Sequence, residues 1–241
     1  MNESSNQADQ NDRFGVSRRR FLQASRNVAV GTVVGSTLSG ILWLDNAVAA
    51  IPASEGYLLV DTKKCQGCAS CMLACSLVHE GVESLSLSRI QVMQNSFESF
   101  PDDLTIEQCR QCMDPPCVKE CPTSALKADA KHGNVRMVDK EKCIGCGKCY
   151  DACPYTPSRP VVVADKNYGG EVKSRKCDLC AKASFHWDKA GGGPDGKRAC
   201  VEVCPVGAIR FTKKIPSQKG DAGYKVDLRD RNWGKLGYPT N

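Results

Sequence analysis

Sixteen cysteines in 241 residues fall into four groups of four, with none left over. The third group is the most regular. Cys143, Cys146, Cys149 and Cys153 are followed by Pro154, which gives C-x2-C-x2-C-x3-C-P, a spacing used for iron–sulfur ligation. Three thiolates two residues apart on one tight loop reach three corners of an iron–sulfur cube. The fourth cysteine lies past that loop and points elsewhere, and where two clusters are present it can ligate the other one. Proline then ends the turn without needing a donor.

The first group is Cys65, Cys68, Cys71 and Cys75, with the same compact spacing. The second, Cys109, Cys112, Cys117 and Cys121, and the fourth, Cys177, Cys180, Cys200 and Cys204, share another form. Each opens with C-x2-C and, after an insert, closes with Cys-Val-x-x-Cys-Pro. The inserts differ: four residues between Cys112 and Cys117, 19 between Cys180 and Cys200. Sixteen thiolates would hold four [4Fe–4S] clusters. Zinc also uses C-x2-C pairs, but it takes two separated pairs per ion and has no use for a third cysteine two residues on. Disulfides would be strained with three sulfurs crowded into one loop. No cysteine is left over to act as a catalytic thiol.

The elements that position these groups repeat. Val60, Asp61, Lys64 and Cys65 return as Val138, Asp139, Lys142 and Cys143, 78 positions later, so the chain reads as a duplicated two-motif unit. Tyr57–Val60 is expected as a strand leading into the first group, and 88–93 as another, within a linking stretch over 76–108. Phe97 to Pro101 reads as a turn. Groups two and three are separated by residues 122–142, enough for the strand–turn–strand of a two-cluster ferredoxin. They would form one pair and leave groups one and four to form the other. The expected fold class is α+β: tandem ferredoxin-like domains, with short strands and helices around four clusters. The expected divisions are 50–108 for the first motif and its linker, 109–160 for a ferredoxin-like domain of groups two and three, 161–212 for the fourth motif packing with the first, and 213–241 for a tail.

Ser17, Arg18, Arg19, Arg20, Phe21, Leu22 and Gln23 resemble the twin-arginine export motif S-R-R-x-F-L-K, with Gln for the final Lys. A mildly apolar stretch follows from Val28 to Leu44, then Ala47, Val48 and Ala49 as an A-x-A cleavage site. The stretch is short for a membrane span and interrupted by small polar residues, which favours a cleaved signal at 1–49. The twin-arginine route carries folded proteins, which suits clusters inserted before export. The expected location is periplasmic, at the outer face of the inner membrane.

Aromatic residues make up only 6% of the chain, so clusters would supply the centre that side chains do not, and the apo-protein should fold poorly. The formal charge of +6 would ordinarily point to nucleic acid. Four clusters contribute roughly −8 and reverse the sign, so no nucleic-acid partner is expected. Lys64, Arg110, Lys142 and Lys176 beside the motifs would balance cluster charge locally. The glycine-rich run from Ala190 to Gly196 lacks the spacing of a phosphate cradle and reads as a flexible surface loop. His79, His132 and His186 are scattered, and each is expected at the surface rather than as a ligand. The tail, with Tyr224, Trp233 and Tyr238, would either dock on a partner or pack back on its own domain. The sequence holds no pterin, flavin or nicotinamide motif, so no catalytic site of its own is expected.

The four groups, together with Pro115, Pro116, Cys117 and Val118 and with Lys176 to Cys180, resemble the four-cluster ferredoxin-like subunits of molybdopterin oxidoreductase complexes, over about residues 57–212. Dimethyl sulfoxide, polysulfide and formate enzymes and formate-dependent nitrite reduction have such subunits. The resemblance implies pairing of group one with four and two with three. It also implies electron transfer between a molybdopterin catalytic subunit and a membrane quinone-reactive or cytochrome subunit. Some members carry tryptophan in place of the second cysteine of group three, with a [3Fe–4S] cluster; here that position is Cys146, which implies four [4Fe–4S] clusters. A free-standing periplasmic polyferredoxin and a zinc-built interaction scaffold are the other readings.

Overall fold

Strands of four or five residues abut each cysteine group, so the sheets and the sites form together. The computed structural model describes residues 50–187 and 191–235. The export motif with Arg18 and Arg19, the apolar run, the cleavage site, Ala190 and Tyr238 lie outside the described residues. In chain order the elements are β1 (Tyr57–Val60), α1 (Ser70–Glu80), β2 (Ile90–Gln94), β3 (Leu104–Gln108), α2 (Pro116–Lys119), β4 (Leu126–Asp129), β5 (Val135–Val138), α3 (Lys148–Asp151), β6 (Val161–Ala164), β7 (Val172–Arg175), α4 (Ala199–Glu202), β8 (Ile209–Thr212) and α5 (Arg231–Lys235).

The strands make four antiparallel pairs: β1–β8, β2–β3, β4–β5 and β6–β7. A strand, a cysteine group, a hairpin, a second group and a strand therefore occur twice in succession. Equivalent bonds close the two pairs that lie beside the groups. Asp61 N–H donates to Ala208 O at 2.9 Å, and Asp139 N–H to Ala125 O at 2.8 Å. A lone two-stranded pair is marginal in water, so each must be held by what it packs against. Leu58, Val60, Ile90, Ile106, Val135, Met137, Leu179 and Ile209 share one core with six buried cysteines, Cys65, Cys71, Cys75, Cys109, Cys177 and Cys200.

All four residues of β1 are buried because both of its edges are covered. β8 lies on one side. On the other, Val60 N–H donates to Tyr224 O and Val226 N–H to Val60 O, both at 2.9 Å. Burying four such side chains is worth about 1.5–3 kcal/mol each. The tail thus packs back on its own fold: Tyr224 is fully buried, and Lys64 Nζ lies 5.4 Å from the Trp233 ring centre.

The stretch 76–108 is more than a linker. It holds the end of α1 and the whole β2–β3 hairpin, whose tip carries the exposed Phe97. Helix α1 stops at Gly81, whose left-handed φ of 74° lets its N–H reach Leu77 O. The glycine-rich run differs from the free surface loop expected. Gly193 and Pro194 are buried, Gly193 N–H donates to Leu179 O at 2.8 Å, and Arg198 Nη1 donates to Gly193 O and Gly196 O. A Cβ on Gly192 would sit 1.9 Å from Cys180 O. Glycine is needed there because the loop lies directly on a cysteine-bearing segment.

Candidate iron–sulfur centres

The fold redistributes the cysteines into four quartets that cut across the sequence groups. Site A gathers Cys65, Cys68, Cys71 and Cys204. Site B gathers Cys75, Cys177, Cys180 and Cys200. In site C, Cys109, Cys112 and Cys153 all face Cys117. Site D gathers Cys121, Cys143, Cys146 and Cys149. In every case three cysteines of one group meet the last cysteine of another: group one with four, and two with three.

The cause is local. Cys71 and Cys75 sit four residues apart on α1, one helical turn, so the helix hands one sulfur to A and the next to B. Shorter turns do the same elsewhere. Cys117 and Cys121 flank the end of α2, Cys149 and Cys153 the end of α3, and Cys200 and Cys204 the end of α4. Sites B and C meet where Cys177 faces Cys109 and Gln111 Nε2 donates to Cys177 O at 2.9 Å. The spatial order is therefore A, B, C, D. Only Cys68, in A, and Cys146, in D, are exposed among the sixteen.

The quartets surround hollows rather than converge on a point. Those of A, B and D are each lined by four cysteines together with apolar side chains. Among the described residues, no three His, Cys, Asp or Glu side chains come close enough together to hold a single metal ion. Such spacing suits a multi-iron cube better than one tetrahedral zinc. Backbone N–H groups point at the sulfurs. The last cysteine of every group accepts one: Cys75 from Arg89, Cys121 from Leu126, Cys153 from Arg159 and Cys204 from Ala208, at 3.2–3.4 Å. Donors of this kind stabilise thiolate and cluster charge.

Burial pushes the Cys71, Cys117 and Cys180 thiols up to about 12, and Cys177 and Cys200 well above the usual range. Such thiols keep their protons at neutral pH unless a cation at the centre of the hollow draws the proton off. Cys75 differs. Burial opposes ionisation there too, but the His79 hydrogen bond and the Arg89 charge hold its pKa below the ordinary value.

His79 overturns its surface expectation. It is 5% exposed, one turn after Cys75 on the inner side of α1. Its Nδ1 lies 2.8 Å from Cys75 O and its Nε2 2.9 Å from Asp178 Oδ1. Against burial and the Arg89 charge, Asp178 raises the His79 pKa to about 9. Asp178 also pairs with Arg89 at 2.9 Å. Burial opposes its charge, but Arg89 and His79 hold its carboxyl well below the usual range. This network continues through Glu80, Arg175, Lys140 and Asp165, tying α1 to the β6–β7 hairpin. His186 is exposed, as expected, whereas His132 is half-buried with its Nδ1 3.4 Å from Asp129 Oδ1.

The four basic residues beside the motifs part company. Lys142 is exposed and Lys64 half-buried, whereas Arg110 and Lys176 are 1% and 2% exposed. Arg110 pairs with Asp221 at 2.6 Å. The sequence had not pointed to Arg136 or Tyr155 beside site C. Arg136 donates to the carbonyls of Cys112, Pro52 and Asn134, and the Tyr155 hydroxyl lies 4.0 Å from Cys112 Sγ. Arg136 alternates with apolar neighbours in β5, which reads as an outward position; nothing local foretells its burial.

Cysteine-lined hollows on paired short strands define a ferredoxin-like iron–sulfur protein. The family model described as a 4Fe-4S dicluster domain matches residues 102–214. The polyferredoxin-like subunit of the aliphatic sulfonate oxidoreductase of Pyrococcus furiosus is 43% identical over 61% of this chain and 70% of its own. Thiosulfate reductase electron transfer subunit PhsB of Salmonella typhi is 35% identical over 68% of this chain and 79% of its own. Protein NrfC of Escherichia coli (strain K12) is 34% identical over 81% and 79%. The chain belongs to this family of electron-transfer iron–sulfur subunits of oxidoreductase complexes, and its cofactors are [4Fe–4S] clusters.

Proposed function

We propose that the sixteen cysteines hold four [4Fe–4S] clusters, one in each of sites A to D, in two interleaved ferredoxin-like units. The subunit then relays electrons between a molybdopterin catalytic subunit and a quinone-reactive or cytochrome subunit of the membrane. Bound clusters supply one-electron carriers; the chain sets their order and their surroundings. Helix α1 carries ligands for both A and B, α3 and the turn after it carry ligands for D and C, and Cys177 against Cys109 joins B to C. The observation that carries the reading is this unbroken order, with exposed cysteines only at its two ends, Cys68 and Cys146. A relay needs accessible termini, and no cysteine of the two inner sites is exposed.

The test is metal analysis joined to isolation of the native assembly. About 16 iron atoms and 16 sulfides per chain are expected, together with a large catalytic subunit in the same complex. Stoichiometric zinc without broad visible absorbance would sink the relay. Isolation as a lone, cluster-loaded chain would favour the free-standing polyferredoxin instead.

The proposed location is the periplasmic face of the inner membrane, by the twin-arginine route. Changing both Arg18 and Arg19 to lysine keeps the charge but removes the paired guanidinium geometry. Cluster-loaded protein should then accumulate in the cytoplasm; unimpaired export would rule the signal out.

A further inference from the structure

Three lysines stand immediately before the first cysteine of a group: Lys64, Lys142 and Lys176. They meet different fates. Lys142 is exposed. Lys64 turns outward, its ammonium donating to Leu228 O at 2.9 Å. Lys176 follows β7 directly, turns inward and is 2% exposed. Its Nζ donates to Arg136 O at 2.7 Å. Among the described residues no carboxylate forms an ion pair with it, and the ionisable groups that act on it most are Cys109 and Cys117 in site C, then Cys177 in site B.

A buried ammonium in a protein interior calls for opposite charge beside it. The neighbouring cation makes the imbalance worse. Arg136 is 1% exposed and its guanidinium donates only to backbone carbonyls. Two buried cations therefore lie beside one quartet, and among the described residues neither forms an ion pair with a carboxylate. The missing negative charge has one source nearby, the thiolate-bound clusters of sites C and B, each about −2 when oxidised.

We propose that Lys176 is the shared counter-charge of the two inner clusters, holding the potential of the cluster in C, and to a lesser degree that in B, above the value it would have without the lysine. This rests on the four-cluster reading above. Reduction adds a negative charge to a cluster, and a fixed ammonium in a low-dielectric setting stabilises the reduced form. When an electron passes between B and C, one cluster is oxidised and the other reduced by one electron, and the lysine takes no part in the bond changes. The transferred charge stays beside the same cation on both sides of the step. Lys176 is thus a positioning residue for charge, acting through the clusters and touching no substrate.

The experiment is a redox titration of the cluster-loaded protein followed by electron paramagnetic resonance, comparing Lys176→Met, Lys176→Arg and Lys142→Met with the parent. In Lys176→Met the reduction equilibrium of the C cluster should fall at least tenfold, about 59 mV for a one-electron couple. The B cluster should move the same way by less, and A and D should hold their values. Lys176→Arg should restore both inner potentials, and Lys142→Met should leave all four unchanged. Loss of the C and B clusters in the Met variant, with retention in the Arg variant, also supports the assignment. Four loaded clusters with unmoved inner potentials in Lys176→Met would overturn it. Equal cluster loss in the Met and Arg variants would overturn it too, because the role would then be packing and not charge. Failure of the parent to carry four clusters would strike the functional reading instead, and metal analysis separates that case.

Discussion

The C/D half and the A/B half are built from equivalent parts and closed in different ways. In C/D the strands β4 and β5 are a local hairpin, joined by residues 130–134. In A/B the equivalent pair is β8 with β1, which meet across residues 61–208. Each half therefore forms at a junction of the duplicated unit, C/D where the two copies join and A/B where the two ends of the array meet. Closing the longer loop costs roughly 3 kcal/mol more in chain entropy, taking (3/2)RT ln n with an approximately thirtyfold difference in length. The A/B half carries extra fastenings that offset it. Helix α1 has 11 residues where α3 has four. The tail covers the open edge of β1. The His79–Asp178–Arg89 network pins α1 to group four. Distant closure is thus matched by more buried polar and apolar contact, a division a local hairpin does not need.

The largest expected effects are at the ligands. Cys153→Ser should convert or empty the C cluster and leave D close to normal, and Cys121→Ser should do the reverse, because serine supplies a harder oxygen ligand in the same shape. Cys75→Ser and Cys204→Ser should affect B and A in the same crossed manner. Cluster signals in these variants would be read against Cys112→Ser and Cys146→Ser. If Cys153→Ser matches Cys146→Ser and not Cys112→Ser, each group holds its own cluster and the two-half description collapses.

A smaller effect, confined to one half, is expected from Asp178→Asn. Removing one partner of a buried ion pair costs about 3–5 kcal/mol, and here it leaves Arg89 and His79 facing each other beside Cys75. The B cluster should bleach in denaturant before C and D do. Simultaneous loss of all four would mean that the halves do not differ in how they are fastened.

The smallest expected change is Tyr224→Phe. The hydroxyl donates to Arg110 O and accepts from Gln218 Nε2, both at 2.7 Å, so its loss leaves a buried carbonyl short of a donor at a cost of about 1–3 kcal/mol. The denaturant midpoint should fall modestly, with cluster loss still beginning in A/B. An unchanged midpoint would show that the Tyr224 hydroxyl does not help to fasten the tail to the segment that follows Cys109.

Much of the candidate site was legible because iron–sulfur ligation is written in short spacings. Three cysteines on one loop need only a few residues of backbone geometry, and the repeat of Val60, Asp61 and Lys64 at Val138, Asp139 and Lys142 exposes the duplication. The β4–β5 hairpin was legible for the same reason. His79 and the glycine-rich run were misread because neither carries a local mark of burial. His79 is a partner for Asp178, 99 positions away. Gly192 is a necessity imposed by Cys180 O.

The sequence alone determined the number and local form of the cysteine groups, the strand at Tyr57–Val60 and the strand–turn–strand between groups two and three, since each depends on neighbours along the chain. Only the tertiary structure decided that the tail seals β1, that His79 is buried, and which of three similarly placed lysines turns inward. Lys64, Lys142 and Lys176 have the same next residue, and what separates them is the surface that long-range packing lays over each. Burial and charge compensation depend on neighbours in space, and a chain folded across 148 intervening residues between β1 and β8 does not carry those neighbours in its local order.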